Sequence, residues 1–278
     1  MILVTGATGN VGSAAIRLLA ARHHPVRALV RDPSRAPHRN VEIVIGDFDR
    51  PDTLDAAMRG IDTVLLVSPA VPAQEIAVID SAVRQGATHV VKITSKASAD
   101  SPVDRRRGQA QIEAHLETTG LAYTLLRSNA YMQNLLALAA MIRQTGGFVM
   151  SAGDGRVGMI DARDVAAVAA AVAAAPKEHA GQTYWLTGPS LISYADVARE
   201  LSAALGHAVG YRRISPAEHR AAMIAAGVPE AVATSNAQAF RLIAEGDAAW
   251  LSDDVKSITG TAPRPLRSFI TDHITAFT

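Results

Sequence analysis

The chain has 278 residues, with 27 Lys and Arg against 26 Asp and Glu and a formal net charge of +1. That length can bury a full core in one sizeable domain with a smaller appended lobe, and the near balance of charge gives no broad positive field to hold nucleic acid. The absence of cysteine excludes disulfide scaffolds, iron-sulfur clusters, thiolate zinc sites and a cysteine nucleophile.

An apolar run, Ile2-Leu3-Val4, leads into Thr5-Gly6-Ala7-Thr8-Gly9-Asn10-Val11-Gly12 and then an apolar helical pattern from Ala14 to Ala21. Strand, glycine turn and helix in that order predict a pyrophosphate cradle at residues 6–12, Thr8 included. Gly6 suits the tight turn, Gly9 lets bare backbone approach the phosphates, and Gly12 lets the helix pack on its strand. A plain loop with a helix cap is the simpler reading, but strand, turn and helix agree on a dinucleotide. The first residues lack a basic n-region and apolar h-region, so no secretory signal is expected. The alanine-rich stretch Val165 to Ala175 is too short to cross a bilayer. The expectation is a soluble cytoplasmic protein with no membrane partner.

Apolar, β-branched runs at Val26 to Val30, Val41 to Ile45, Thr63 to Val67, His89 to Thr94 and Leu121 to Leu126 predict strands two to six. Helical patterns near Asp52 to Met58, Gln74 to Arg84, Gln109 to Thr118 and Ala130 to Arg143 alternate with them. This rhythm predicts an α/β fold, a Rossmann-like doubly wound parallel sheet with ligand at the carboxyl ends of its strands. Residues 1–150 are the expected NAD(P)-binding domain. Residues 151–278 are a mixed segment that completes the sheet and forms a smaller, mostly helical substrate lobe. Within it, Val157 to Ile160 and Gln182 to Leu186 read as strands, and Asp164 as the N-cap of the alanine-rich helix, a simpler role than that of a catalytic carboxylate. The helical C-terminal segments would cover either substrate or the second subunit of a homodimer.

Strand two is followed by Arg31-Asp32-Pro33-Ser34, where the chain turns beside the adenosine ribose. A guanidinium there pairs with a 2′-phosphate, so Arg31 favours NADP(H) over NAD(H); Asp32 would pair with Arg31 or bond its own turn. Asp47 and Phe48, after strand three, suit the adenine amino group and ring, the alternative being a turn in which Asp47 caps the next helix. Val67 and Ser68, at the end of strand four, face the middle of the cofactor or end a strand at Pro69.

Common short-chain reductases protonate a carbonyl with a Tyr-x-x-x-Lys pair. This chain has five tyrosines, and the fourth residues after them are Arg127, Leu135, Gly188, Ala198 and Ser215. That route is disfavoured. Lys96 is the candidate proton donor, although a lysine in a polar loop is usually solvated. Lys92, inside strand five, reads as snorkelling out of it, and Arg105-Arg106-Arg107 as a solvated run that could also attract an anionic substrate. No histidine pair has metal-ligand spacing, so no metal site is expected. Trp185, Tyr131 and Met132 could floor a flat aromatic substrate, with core packing the simpler role for Trp185.

The segment Thr5 to Gly12, Gly46-Asp47-Phe48, Leu126 to Asn134 and Gly227-Val228-Pro229-Glu230 together resemble the NmrA-like atypical short-chain family, and within it the triphenylmethane reductases and type 2 quinone oxidoreductases. The resemblance implies pyrophosphate contacts at Gly6, Gly9, Asn10, Val11 and Gly12, the 2′-phosphate on Arg31, and adenine on Asp47 and Phe48. It also implies Thr94 and Ser95 beneath the nicotinamide ribose. Asn129 would lie near the nicotinamide, with Ser128, Tyr131 and Met132 in the substrate pocket. Where several relatives carry histidine early in the helix after strand five, this chain has Gln109. The implied activity is NADPH-dependent hydride transfer to a flat conjugated acceptor: a quinone, a dye or an aromatic polyketide-like molecule. The implied alternative is a non-catalytic NADP(H) redox sensor that acts on a protein partner.

Overall fold

The computed structural model describes residues 1–35 and 41–278. Seven strands form one parallel sheet in the order β3-β2-β1-β4-β5-β6-β8. They are β1 (Ile2–Val4), β2 (Val26–Val30), β3 (Glu42–Ile45), β4 (Thr63–Leu66), β5 (His89–Thr94), β6 (Ala122–Ser128) and β8 (Thr183–Leu186). The strand order reverses between β1 and β4, which opens a crevice outside their carboxyl ends. Every residue of β4 and β5 is buried, which is why β4 and the Val90-Val91 step of β5 read as apolar without alternation.

Helix α1 (Asn10–Ala21) and the alanine-rich α6 (Ala162–Ala174) cover one face of the sheet. The small side chains of Ala166, Ala169 and Ala170, all buried, let the two helices pack closely. The other face carries α2 (Pro51–Met58), α3 (Pro72–Arg84) and α4 (Asp104–Thr118), whose Leu54, Met58, Ile79, Ile112 and Leu116 have no exposed surface. Burying each of these contributes roughly 1.5–3 kcal/mol.

A second core belongs to the lobe beyond β6. There β7 (Gly147–Met150) pairs in parallel with β9 (Gly210–Arg213), and Phe148 stacks on Tyr211 at 5.4 Å. Helices α5 (Ala139–Thr145), α7 (Tyr194–Leu205), α8 (Pro216–Ala225) and α9 (Glu230–Ala244) surround this pair, followed by α10 (Asp254–Thr259), α11 (Leu266–Asp272) and α12 (Ile274–Phe277). No helix among the described residues is long and apolar enough to cross a membrane.

Three local expectations are corrected. The helix expected over 130–143 is a 3-10 segment at Met132–Leu138, and α-helix begins only at Ala139. Tyr131 is held extended by a bridge to Ile160, and the Met132 N–H donates to the Ile160 carbonyl at 2.8 Å, so the chain cannot coil earlier. Residues 157–160 form no strand, only single bridges from Val157 to Ile192 and from Ile160 to Tyr131. The N-cap of α6 is Asp161, whose carboxylate accepts from the Arg163 N–H at 2.8 Å, and not Asp164. Asp164 lies one turn further in and accepts from the Arg264 N–H at 2.7 Å and from its guanidinium.

Candidate functional site

Gly6 has φ +56°, and a Cβ there would sit 2.6 Å from the Val67 carbonyl oxygen. At Gly12 a Cβ would lie 2.3 Å from the Gly6 carbonyl oxygen. Both positions therefore require glycine, the first for its backbone angle and the second for close helix packing. The Thr5 hydroxyl accepts from the Val67 N–H and donates to the Val67 carbonyl, each at 2.8 Å, stitching β1 to the end of β4 across the crevice. No side chain caps α1, and no acidic residue lies in its first turn. Asn10 and Thr8 are exposed there, whereas the Val11 side chain is in the core and offers only its backbone. This cradle, with its unsatisfied amides, fits a diphosphate.

Two clefts flank it. One, of about 190 Å³, is lined by Gly6, Thr8, Arg31, Asp47, Phe48 and Val67. Asp32 accepts from the Ser34 N–H at 2.9 Å and from its hydroxyl at 2.7 Å, so it closes its own turn. The Ser34 hydroxyl and amide hold its carboxyl below the usual carboxylate range. Among the described residues no carboxylate pairs with Arg31. Asp47 does not cap α2, whose N-cap is Arg50 without a side-chain bond; its carboxylate accepts from the Asp49 N–H at 3.1 Å.

The second cavity, of about 260 Å³, shares Ser68 and Pro69 with the first. It is lined by Thr94, Ser95, Lys96, Ser128, Asn129 and Tyr131 from the ends of β5 and β6, and by Ala239, Ile243, Ala248 and Trp250 from the C-terminal part of the chain. Its polar groups divide into those already engaged and those left over. Thr94 donates to Glu113 at 2.6 Å, and Glu113 also takes the Arg127 guanidinium, which lies 5.1 Å over the Trp185 ring. Asn129 donates to the Ala248 carbonyl at 3.0 Å and accepts from the Ala130 N–H at 2.8 Å, so its amide fixes the loop over the cavity. The Tyr131 hydroxyl reaches the Ser128 hydroxyl at 3.4 Å, and burial pushes its phenol pKa up. Ser95 Oγ and Gln109 Oε1 are buried without any partner. Orphaned atoms of this kind in a cavity wall fit a bound polar ligand.

Lys96 lines the cavity but does not sit free in it. Its ammonium meets Asp247 at 2.7 Å, and Arg106 meets the other oxygen of Asp247 at 2.6 Å. Burial pushes the Asp247 carboxyl up, and the bonds from Arg106 and Lys96 outweigh it, leaving the pKa lowered.

Several readings change. Met132 is fully buried in the core of the lobe and does not line the cavity. Lys92 does not snorkel: it has no exposed surface and pairs with the buried Glu75. Glu75 in turn accepts from the Ser68 hydroxyl at 2.5 Å, so this pair supports one of the two residues shared by both clefts. The three consecutive arginines part company, Arg106 going to Asp247, Arg107 to Asp104 and the Ser101 carbonyl, and Arg105 to the cavity. Trp185 packs edge-on against Trp250 at 5.1 Å, and it is Trp250 that reaches the cavity. Nothing local in the sequence signals Trp250, Ile243 or Ala248, which arrive from more than a hundred residues downstream of β6. Among the described residues no group of three or more His, Asp or Glu side chains is placed to hold a metal.

Comparison with known proteins fits this geometry. The chain is 39% identical to the NAD(P)H azoreductase of Xenophilus azovorans, over 100% of this chain and 99% of that protein. The NADPH-dependent quinone oxidoreductase of Escherichia coli complexed with NADPH superposes with a TM-score of 0.90 at 29% identity, covering 99% of this chain and 100% of that one. The triphenylmethane reductase of Citrobacter sp. complexed with NADP(H) gives a TM-score of 0.88 at 28% identity, covering 98% and 99%. The NmrA-like family profile matches residues 1–259, and on that span the chain belongs to the NmrA-like family.

Proposed function

We propose that this chain, an NAD(P)H-dependent reductase of the atypical short-chain type, prefers NADPH and reduces a flat conjugated acceptor such as a quinone or an azo dye. The observation that carries the reading is the continuity of the two clefts through Ser68 and Pro69. A dinucleotide with its diphosphate on the Gly6–Gly12 turn and its adenosine beside Arg31 and Phe48 has its other end at the second cavity. Azoreductase, quinone reductase and dye reductase activities in the relatives support the same class of acceptor.

The bound nicotinamide supplies a hydride. The protein's part is to orient the two rings and exclude water. Ser68, steadied by Glu75, and Thr94, steadied by Glu113, form the floor on the β4 and β5 side. Trp250, Tyr131 and Ile243 supply the apolar wall against which a flat acceptor packs. The charge left on a reduced quinone is delocalised and takes its proton from solvent, so no Tyr-x-x-x-Lys pair is needed. For a ketone or enone, whose charge is localised, Lys96 is the proton donor, because its ammonium is held by Asp247 at the cavity wall. Arg31, which no carboxylate among the described residues pairs, supports NADPH over NADH.

Steady NADPH oxidation by purified protein across a panel of quinones and azo dyes tests the reading. Tight nucleotide binding with no turnover on any member, together with a co-purifying protein, would overturn it in favour of a redox sensor.

A further inference from the structure

One face of α4 looks into the acceptor cavity. Arg105 and Gln109 are four residues apart, which places them on the same side of the helix with their Cβ atoms roughly 5–6 Å apart. Gln109 is 4% exposed and its side chain makes no hydrogen bond within the described residues, with Oε1 buried and unpartnered. A buried primary amide left in this state costs stability unless a ligand completes it. Ser95 Oγ, also unpartnered, lies in the wall of the same cavity.

The charges in the wall do not balance. Lys96, Arg105 and Arg106 line the cavity and no carboxylate does. Asp247 answers Lys96 and Arg106 together, while Glu75 and Glu113 are occupied by Lys92 and Arg127. No carboxylate among the described residues reaches Arg105. Arg105 keeps exposed surface while lining the cavity, and partial desolvation followed by the neighbouring Arg106 pushes its pKa down. An arginine keeps its charge there regardless. The protein thus holds a cation in a cleft without supplying its counter-ion.

We propose that this face of α4 selects acceptors carrying an anionic substituent, with Gln109 hydrogen-bonding a polar group on the reducible ring and Arg105 pairing with a carboxylate, sulfonate or phosphate about one helical turn away. The inference rests on the reductase reading above and narrows its substrate class.

The test uses three 2-methyl-1,4-naphthoquinones carrying at C3 a propyl, a propanoate or a trimethylammoniopropyl chain. The saturated linker insulates the ring, so the three differ in charge far more than in ease of reduction. Wild-type kcat/KM should favour the propanoate over the ammonium compound by about ten-fold or more, and the preference should shrink as salt is raised. Arg105→Glu should reverse the order. The ratio is the readout, so a general loss of activity in the variant cancels. Gln109→Leu should raise KM for all three without changing the order. An unchanged ratio in Arg105→Glu, or a wild-type preference for the ammonium compound, overturns the inference while leaving the reductase reading intact. If none of the three is reduced although other quinones or azo dyes are, the inference is overturned and the reductase reading stands; if no quinone or azo dye is reduced either, the reading itself fails and takes the inference with it.

Discussion

Lys96, just past the end of β5, and Asp247, from the turn after α9, meet 2.7 Å apart across 150 residues of chain. With Arg106 on the second oxygen, Asp247 ties the turn after α9 to the loop after β5 and the first turn of α4, and so holds Ala248 and Trp250 against the cavity. The pair is therefore both a clasp and a fixed ammonium. Lys96→Ala should lower kcat on a ketone or enone acceptor by about 100-fold, the usual size of a general acid's contribution, and change kcat on a quinone by less than about ten-fold. Paired steady-state assays on the two acceptor types check this; equal losses on both would mean that Lys96 acts only as the clasp.

Buried ion pairs are costly to break from one side. Lys92→Met leaves the Glu75 carboxylate without its counter-ion in the core and should destabilise the fold by about 3–5 kcal/mol in urea titrations. The double variant Lys92→Met/Glu75→Leu should recover most of that loss. It should also weaken nucleotide binding, because Ser68 loses the acceptor for its hydroxyl. Full recovery of both properties would show that Ser68 needs no support.

Cofactor preference should depend on Arg31. Its guanidinium faces the first cleft while Asp32 is bound up with Ser34. Arg31→Ala should raise the Kd for NADPH by about 10- to 100-fold, the size of a charge-assisted hydrogen bond, and leave that for NADH within about three-fold. Equal effects on the two nucleotides would place the 2′-phosphate elsewhere.

Two imidazoles set an acid limit on stability. His89, bonded to Thr124 at 2.9 Å, and His219, bonded to Ser151 at 2.9 Å, are both buried, and burial holds their pKa values below the ordinary imidazole value. The unfolded chain takes up these protons near pH 6.5 and the folded chain only at lower pH. Their contribution is complete above about pH 6.5 and is lost as the pH falls toward the folded values. Tm should therefore drop between pH 7.5 and 5.5, and less steeply in His219→Asn. A flat Tm over that range would contradict the buried, neutral state of both rings.

Much of the fold could be read from local pattern. The strand runs of the seven-stranded sheet and the glycine spacing at 6, 9 and 12 are consequences of short-range sterics and two-sided burial, so they leave marks in sequence. That Arg31, Asp47, Phe48 and Ser68 line one cleft was legible for the same reason, since each lies within three residues of the end of a strand that stops at the crevice. The 3-10 segment after β6 was not, because the bridge to Ile160 that prevents helix there is a tertiary contact. Lys92 was misread for a similar reason. Its partner, Glu75, sits on a helix packed against the strand, and no spacing rule joins residues 17 apart. The C-terminal side of the second cavity was the least visible part, since Ile243, Ala248 and Trp250 reach it from more than a hundred residues downstream of β6.

Calorimetric titration decides whether the Gly6–Gly12 turn holds a pyridine dinucleotide. Purified protein should release heat with NADPH, saturating at one nucleotide per chain, and should bind NADH more weakly. Gly12→Ala, whose Cβ would lie 2.3 Å from the Gly6 carbonyl oxygen, should lose the signal. No heat with either nucleotide from folded wild-type protein would mean that the turn holds no dinucleotide.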